Sequence, residues 1–332
     1  MNAPVLEIDD LTVDFHMPEG VGCAVDHLSL TVENGETIGL VGESGCGKSM
    51  TALSILGLIP QPFGKVRFGS IRYAGENLLT AHSERLRRIR GSEIAMIFQE
   101  PMTSLNPVLT IGRQVAEPLM EHKGLNKTDA YAEALAWLEH VKLPAAREQL
   151  SQYPHQLSGG MRQRVMIAMA MVCRPRLLIA DEPTTALDVT IQSQILSLMM
   201  GLKEELGMGI LLITHDLGVV AQMARRVVVM YAGQVMEEAD VEILFEQPFH
   251  PYTQGLMQSI PRGLKDDRGR KIRLNEIPGN VLPITEKVGG CKFSTRCPSV
   301  FETCINHHPS LKTISGGHRV RCWLLDDPDR RR

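Results

Sequence analysis

The stretch Gly42-Glu-Ser-Gly-Cys-Gly-Lys-Ser49 sets glycines, a lysine and a hydroxyl at the spacing G-x-x-x-x-G-K-[ST]. Gly42, Gly45 and Gly47 let successive backbone N–H groups turn inward around phosphate oxygens. Ser44 and Cys46 complete the loop, Cys46 reading as a small loop residue. Lys48 is placed to reach terminal phosphates, and the Ser49 hydroxyl to ligate Mg²⁺. Met50 stands where a hydroxyl residue is often found, so only its backbone N–H can contribute. A second chemical cluster ends the run "RLLIADEP". Asp181 there suits Mg²⁺ coordination, directly or through water, and Glu182 suits polarisation of an attacking water. The competing reading is a solvated strand end with two surface acids. Ser158, Gly159 and Gly160 precede an apolar helix and offer a hydroxyl and backbone N–H groups as a second anion site.

Simple elements must position these groups. "VLEIDDLTVDF" and "LSLTVENGETIGLVG" alternate apolar and polar residues and predict strands, the second leading into the glycine-rich loop. "MTALSILGLI" predicts a helix whose N-terminus faces the bound anion. Leu177–Ala180 predicts a short buried parallel strand ending at the two acids. Residues of roughly 100 to 156 read as helical, with Ala130, Ala134, Trp137, Leu138 and Val141 on one apolar stripe. Cys173 and the run "VMIAMAMV" read as core.

The chain has 332 residues, 43% hydrophobic and 22% charged, which accommodates a sizeable core and more than one domain. A net charge of -3 gives no field that argues for a nucleic-acid partner. No uncharged apolar run approaches the roughly 18 residues of a spanning helix. The start "MNAPVLEIDD" lacks the pattern of a secretory signal, so the expected compartment is the cytoplasm.

"LSGGMRQR" resembles the signature of ATP-binding cassette (ABC) ATPases, and further family elements follow in order. Gln99 in "IFQEP" matches the Q-loop, Asp188 ends a "TTALD" that matches the D-loop, and His215 in "LLITHD" matches the switch histidine. The resemblance implies an α/β P-loop NTPase core with an antiparallel β subdomain and a helical subdomain. It implies that Lys48, Ser49, Gln99, Asp181, Glu182 and His215 serve one ATP, with Ser49 and Gln99 on Mg²⁺. Ser158, Gly159 and Gly160 would serve the ATP of a partner cassette, ATP acting as glue whose hydrolysis reopens the dimer. Phe15 is the candidate to stack on adenine, with "HMPEGVG" inserted after it; the alternative is a strand-end core residue.

Beyond the cassette, "HPYT" (His250–Thr253), "EIPGNVLP" and "GCKFSTRCPSVFETC" resemble the oligopeptide/dipeptide importer ATPases and their C-terminal extension. The implied division is a cassette over 1–260, with its helical subdomain at about 100–165, and an extension over 261–332. "RGLKDDRGRKIR" reads as a solvated linker and the terminal "DDPDRRR" as frayed. The implied partners are a second ATPase in a heterodimer, two membrane-spanning permeases and, through them, an extracytoplasmic substrate-binding protein. The chain would lie peripherally on the cytoplasmic face of the membrane. Nickel and glutathione importers are close alternatives, and a soluble ABC protein of DNA repair or translation is a more distant one. Cys291, Cys297, Cys304 and Cys322 are spaced x5, x6 and x17. Disulfides, plain packing, zinc and a [4Fe–4S] cluster compete for them. A reducing compartment weighs against disulfides, and the lack of a pair two to four residues apart weighs against zinc. The resemblance implies the [4Fe–4S] cluster, with Zn²⁺ as the alternative.

Overall fold

The computed structural model describes residues 3–99, 104–185, 187–260 and 276–327. The expected linker at Arg262–Arg273 and the last five residues lie outside these. The described chain forms two compact units, each assembled from separate segments of sequence.

The first unit comprises Met1–Glu7, Thr31–Thr37 and Ile71–Ile213. Its sheet is parallel: Ile94–Ile97 pairs with Leu177–Asp181, which pairs with Gly209–Thr214. The last two strands are buried at every position. That explains their unbroken apolar runs, since a parallel strand covered on both faces has no side to leave polar. Helices Ile111–Lys123, Lys127–His140 and Gly159–Met171 form the predicted helical region. Lys127–His140 buries Ala130, Ala134, Trp137 and Leu138, the stripe expected from a 3.6-residue period. Asn126 caps this helix by accepting a hydrogen bond from Asp129 N at 3.0 Å. Gly124, at φ 66°, closes the preceding helix in the left-handed conformation.

The second unit comprises Ile8–Leu30, Ile38–Ser70 and Thr214–Arg332. Thr37–Val41 pairs in parallel with Arg226–Tyr231, which continues antiparallel into Gln234–Asp240 and then Arg319–Val320. The C-terminal segment therefore extends the sheet that carries the glycine-rich loop. Leu6–Met17 lies between Gly20–Val32 and Gly64–Tyr73 in a second sheet. "HMPEGVG" forms the end of a hairpin: the first strand runs on to Met17 and the next starts at Gly20, leaving only Pro18 and Glu19 to turn the chain. The extra residues lengthen a hairpin, whose added backbone groups find their partners along the ladder.

Trp137 is only 4% exposed, and its side chain is the largest on the stripe of its helix. Trp137→Ala is expected to destabilise the protein by about 3 kcal/mol or more, read as a lower midpoint in chemical denaturation.

Candidate functional site: a phosphate loop and its supports

The phosphate loop lies in the second unit, between the Thr37–Val41 strand and the Lys48–Ile55 helix. Gly42, Gly45 and Gly47 have φ of 153°, 80° and 105°, a region that L side chains avoid. Space imposes the same choice at two of them. A Cβ on Gly42 would meet the Met230 carbonyl and the Cys46 sulfur, and one on Gly47 the Ala24 carbonyl. Lys48 is buried, and its Nζ donates to the carbonyls of Gly42 at 2.7 Å and Glu43 at 3.0 Å. Ser44, Gly45 and Ser49 are exposed, and Met50 is half-buried. Cys46 is fully buried, and burial pushes its thiol pKa up, which leaves it inert at neutral pH.

Two residues outside the motif hold the loop from behind, both through Glu43. Glu43 N–H donates to Tyr252 Oη at 2.9 Å. The Glu43 carboxylate receives Arg296 Nη1 at 2.6 Å and Nη2 at 3.0 Å. No local spacing signals these contacts, because Tyr252 and Arg296 lie 209 and 253 residues further along the chain. Phe15 is half-buried beside Gly64, whose Cβ, if present, would meet its ring. His215 follows the end of the Gly209–Thr214 strand and is exposed. Asp216 then caps the Leu217–Met223 helix.

The first unit gathers a second set. Asp181 ends its strand and is 4% exposed. Glu182 follows at φ 49°, a conformation costly for a non-glycine residue and one that clusters at functional sites. Its carboxylate accepts Thr185 Oγ1 at 2.8 Å and Gln99 Nε2 at 3.2 Å. Gln99 and Glu182, 83 residues apart, are thus brought together. Ser158 caps the Gly159–Met171 helix through Met161 N, and both Ser158 and Gly159 are exposed. Their helix start therefore presents N–H groups at the surface of the unit. Asp188 caps Val189–Leu206 by accepting from Ile191 N at 2.9 Å.

Residues 25–185 match the ABC transporter family, and residues 236–304 match the C-terminal region of oligopeptide/dipeptide transporters. The chain is 50% identical to the probable peptide ABC transporter ATP-binding protein y4tR of Sinorhizobium fredii, over 97% of this chain and 96% of that relative. It is also 50% identical to the oligopeptide transport ATP-binding protein AppD of Bacillus subtilis, over 97% of each. The chain belongs to the ATP-binding proteins of the peptide ABC transporters. Among solved structures, a dimeric bacterial ABC transporter cassette is similar at 29% identity and a TM-score of 0.64, over 71% of this chain and 98% of that one. A post-hydrolysis state of that cassette, bound to ADP and Pi, matches over the same spans at 28% identity. This ABC protein is accordingly an ATPase.

In this ABC ATPase the "HPYT" string starts the Pro251–Gln258 helix. His250 Nδ1 accepts Tyr252 N at 3.0 Å, which orients the tyrosine that reaches Glu43. The fully buried Glu237 accepts Phe249 N at 2.7 Å and His250 N at 2.8 Å, and its carboxylate meets His318 Nε2 at 2.7 Å. The extension is thereby tied to the start of the helix.

The four cysteines share one neighbourhood in the second unit. Cys291 N–H donates to Cys304 O at 2.7 Å, and Cys297 packs against the apolar cluster that holds both. Burial pushes the Cys297 thiol up to about 11 and the Cys322 thiol up to about 12, and raises Cys291 as well. Backbone N–H groups counter this by favouring the thiolates: Phe293 and Ser294 at Cys291, Ser299 at Cys297, and Leu324 at Cys322. All four are free thiols rather than disulfides. Among the described residues, no group of three or more His, Cys, Asp or Glu is placed to hold a metal ion.

Burial lowers the pKa of His250 to about 4, against the pull of Glu237. Between the ordinary value of 6.5 and about 4, the unfolded chain takes up a proton that the folded chain refuses. The stability is complete above pH 6.5 and falls as the pH drops through that window, by about 3 kcal/mol. In urea denaturation, the stability difference between the native protein and His250→Gln is expected to shift by that amount in favour of the variant from pH 7 to pH 4.

Proposed function

We propose that this ATPase powers an importer of di- or oligopeptides, bound peripherally to the cytoplasmic face of the cell membrane. The observation that carries the peptide assignment is the match of residues 236–304 to the C-terminal region of oligopeptide/dipeptide transporters. Two relatives named for peptide and oligopeptide transport, each at 50% identity, support it. Among the described residues no helix is long and apolar enough to cross a membrane. The reading assigns translocation to two permease subunits, substrate capture to an extracytoplasmic binding protein, and the second cassette to a related ATPase. Residues 1–260 are assigned to the cassette, with the helical subdomain at about 100–165, and 261–332 to the extension.

Within the cassette, Lys48 leaves the Gly42 and Glu43 carbonyls to neutralise the terminal phosphates of ATP. The N–H groups from Ser44 to Met50 hold their oxygens. Ser49 and Gln99 would hold Mg²⁺, with Asp181 acting directly or through water, and the ion would offset phosphate charge. Glu182, oriented by Thr185 and Gln99, draws the proton of the attacking water. His215 contacts the leaving phosphate, and Phe15 stacks on adenine. Ser158, Gly159 and Gly160 close over the partner's ATP, and Asp188 joins that contact. Binding energy gathered across the two cassettes closes the dimer, and hydrolysis releases it.

The same reading gives Cys291, Cys297, Cys304 and Cys322 to a [4Fe–4S] cluster. Cys291 N–H donates to Cys304 O at 2.7 Å and Cys297 packs in the same apolar cluster, so the thiols lie close enough to serve one four-thiolate set. Bound there, the cluster would cross-link a segment too small to bury much of its own surface.

Glu182→Gln is expected to lower ATP turnover by about 100-fold or more while ATP binding persists and closed dimers accumulate. Unchanged phosphate release would remove Glu182 from its role. Protein purified without oxygen is expected to be brown, with iron and acid-labile sulfide in equal amounts, both lost in Cys304→Ser. A colourless, zinc-containing protein would make zinc the occupant instead.

A further inference from the structure

The phosphate loop carries a charge that its ligand should oppose. Glu43 is the second residue of the loop, and its main-chain carbonyl is one of the two that hold Lys48 Nζ. A carboxylate there adds negative charge beside the place where a polyphosphate binds. The same guanidinium answers it twice. Arg296 grips both oxygens of Glu43 in a bidentate pair, the strongest geometry available to these groups. Its side chain is 3% exposed, against 28% for Glu43. Arg296 is itself fixed by three further contacts. Nε donates to Pro278 O at 2.8 Å and Nη2 to Ile277 O at 3.2 Å, and the guanidinium carbon lies 5.7 Å from the centre of the Tyr231 ring. The pairing with Glu43 raises its pKa further, so it is charged at any working pH. Arg296 directly precedes Cys297.

We propose that Arg296 is a positioning residue of the ATP site: it neutralises Glu43 and pins the phosphate loop open for its ligand. Arg296 itself touches no nucleotide. It acts through Glu43, whose N–H is held by Tyr252 and whose carbonyl is held by Lys48. With the carboxylate clamped, Lys48 can exchange the two carbonyls for phosphate while the loop keeps its shape. Without Arg296, a half-buried carboxylate stands unpaired and competes with the phosphates for Lys48. The four-cysteine segment thereby gains a direct bearing on nucleotide affinity.

The inference rests on the reading of Gly42–Ser49 as the phosphate site, and a Lys48→Ala control separates the two. Binding of MgATP to the full-length protein is measured by calorimetry, and KM and kcat by phosphate release. Arg296→Gln is expected to raise the MgATP dissociation constant and KM at least ten-fold, with kcat within about two-fold of the native value. Glu43→Gln removes the charge that needs an answer and is expected to bind within a few-fold of native. The double variant is expected to match Glu43→Gln, a rescue that a merely structural role for Arg296 would not give. Native affinity in Arg296→Gln, failure of Glu43→Gln to rescue, or a loss confined to kcat would each overturn the proposal. If Arg296→Gln does not fold, Arg296→Lys keeps the charge but loses the fork. A rise of a few-fold in the dissociation constant then supports the proposal and an unchanged one overturns it. Tight MgATP binding by Lys48→Ala would overturn the phosphate-site reading itself.

Discussion

A loop that points its amide N–H groups at an anion gives up the hydrogen bonds that would otherwise hold it in shape. Gly42, Gly45 and Gly47 allow the required turn, but glycines supply no side chains to fix it. The support must come from outside the loop. The Met230 and Ala24 carbonyls crowd two of the glycines, Gly233 N donates to Cys46 O at 2.9 Å, and Tyr252 and Arg296 take hold of Glu43. The rest of the second unit follows from this need. Its sheet, the "HPYT" helix and the cysteine-rich segment each send one group to the loop.

Those supports are in turn held by buried charge, which is costly unless fully paired. Glu237 is satisfied by two main-chain N–H groups and His318, and Glu238 lies between Arg226 and Arg319. Lys292 pairs with Asp26 at 2.8 Å and also donates to Ala232 O at 2.7 Å. Through His318, Arg319 and Lys292 these contacts join the C-terminal segment to the sheet and to the Gly20–Val32 strand. Apolar packing continues the same join: Phe293 stands edge-on to Tyr231 and tilted against Tyr252. A short segment with little core of its own is stabilised by borrowing the core of the cassette.

What the sequence made legible was whatever depends on local spacing. The phosphate loop, the strand that ends in Asp181 and Glu182, the cap at Ser158 and the stripe through Trp137 all have a period or a motif shorter than a helix. Less legible was whatever depends on pairing across the chain. The spacing of Phe15 from the glycine-rich loop marked "HMPEGVG" as extra residues but not the hairpin they build. The partnership of Gln99 with Glu182 was implied only by resemblance, and that of Glu43 with Arg296 by nothing. Nothing in the spacing of the glycine-rich motif marks Glu43, and nothing in the spacing of the cysteines marks Arg296. An alternation or a heptad leaves a mark in a short window; a salt bridge closed across most of the chain leaves none.

The length of that closure bears on how the protein is made. A ribosome that has delivered the chain through Thr214 has already released the whole glycine-rich loop, yet neither Tyr252 nor Arg296 exists to hold it. Domains begin to fold as they emerge, at about 5–20 residues per second, so the loop waits at least several seconds for its last support. An incomplete or truncated chain therefore carries every residue of the phosphate motif without the braced form of it. Only a chain extended past Arg296 obtains the paired Glu43, so the glycine-rich loop near the start of the sequence takes its braced form from residues made late.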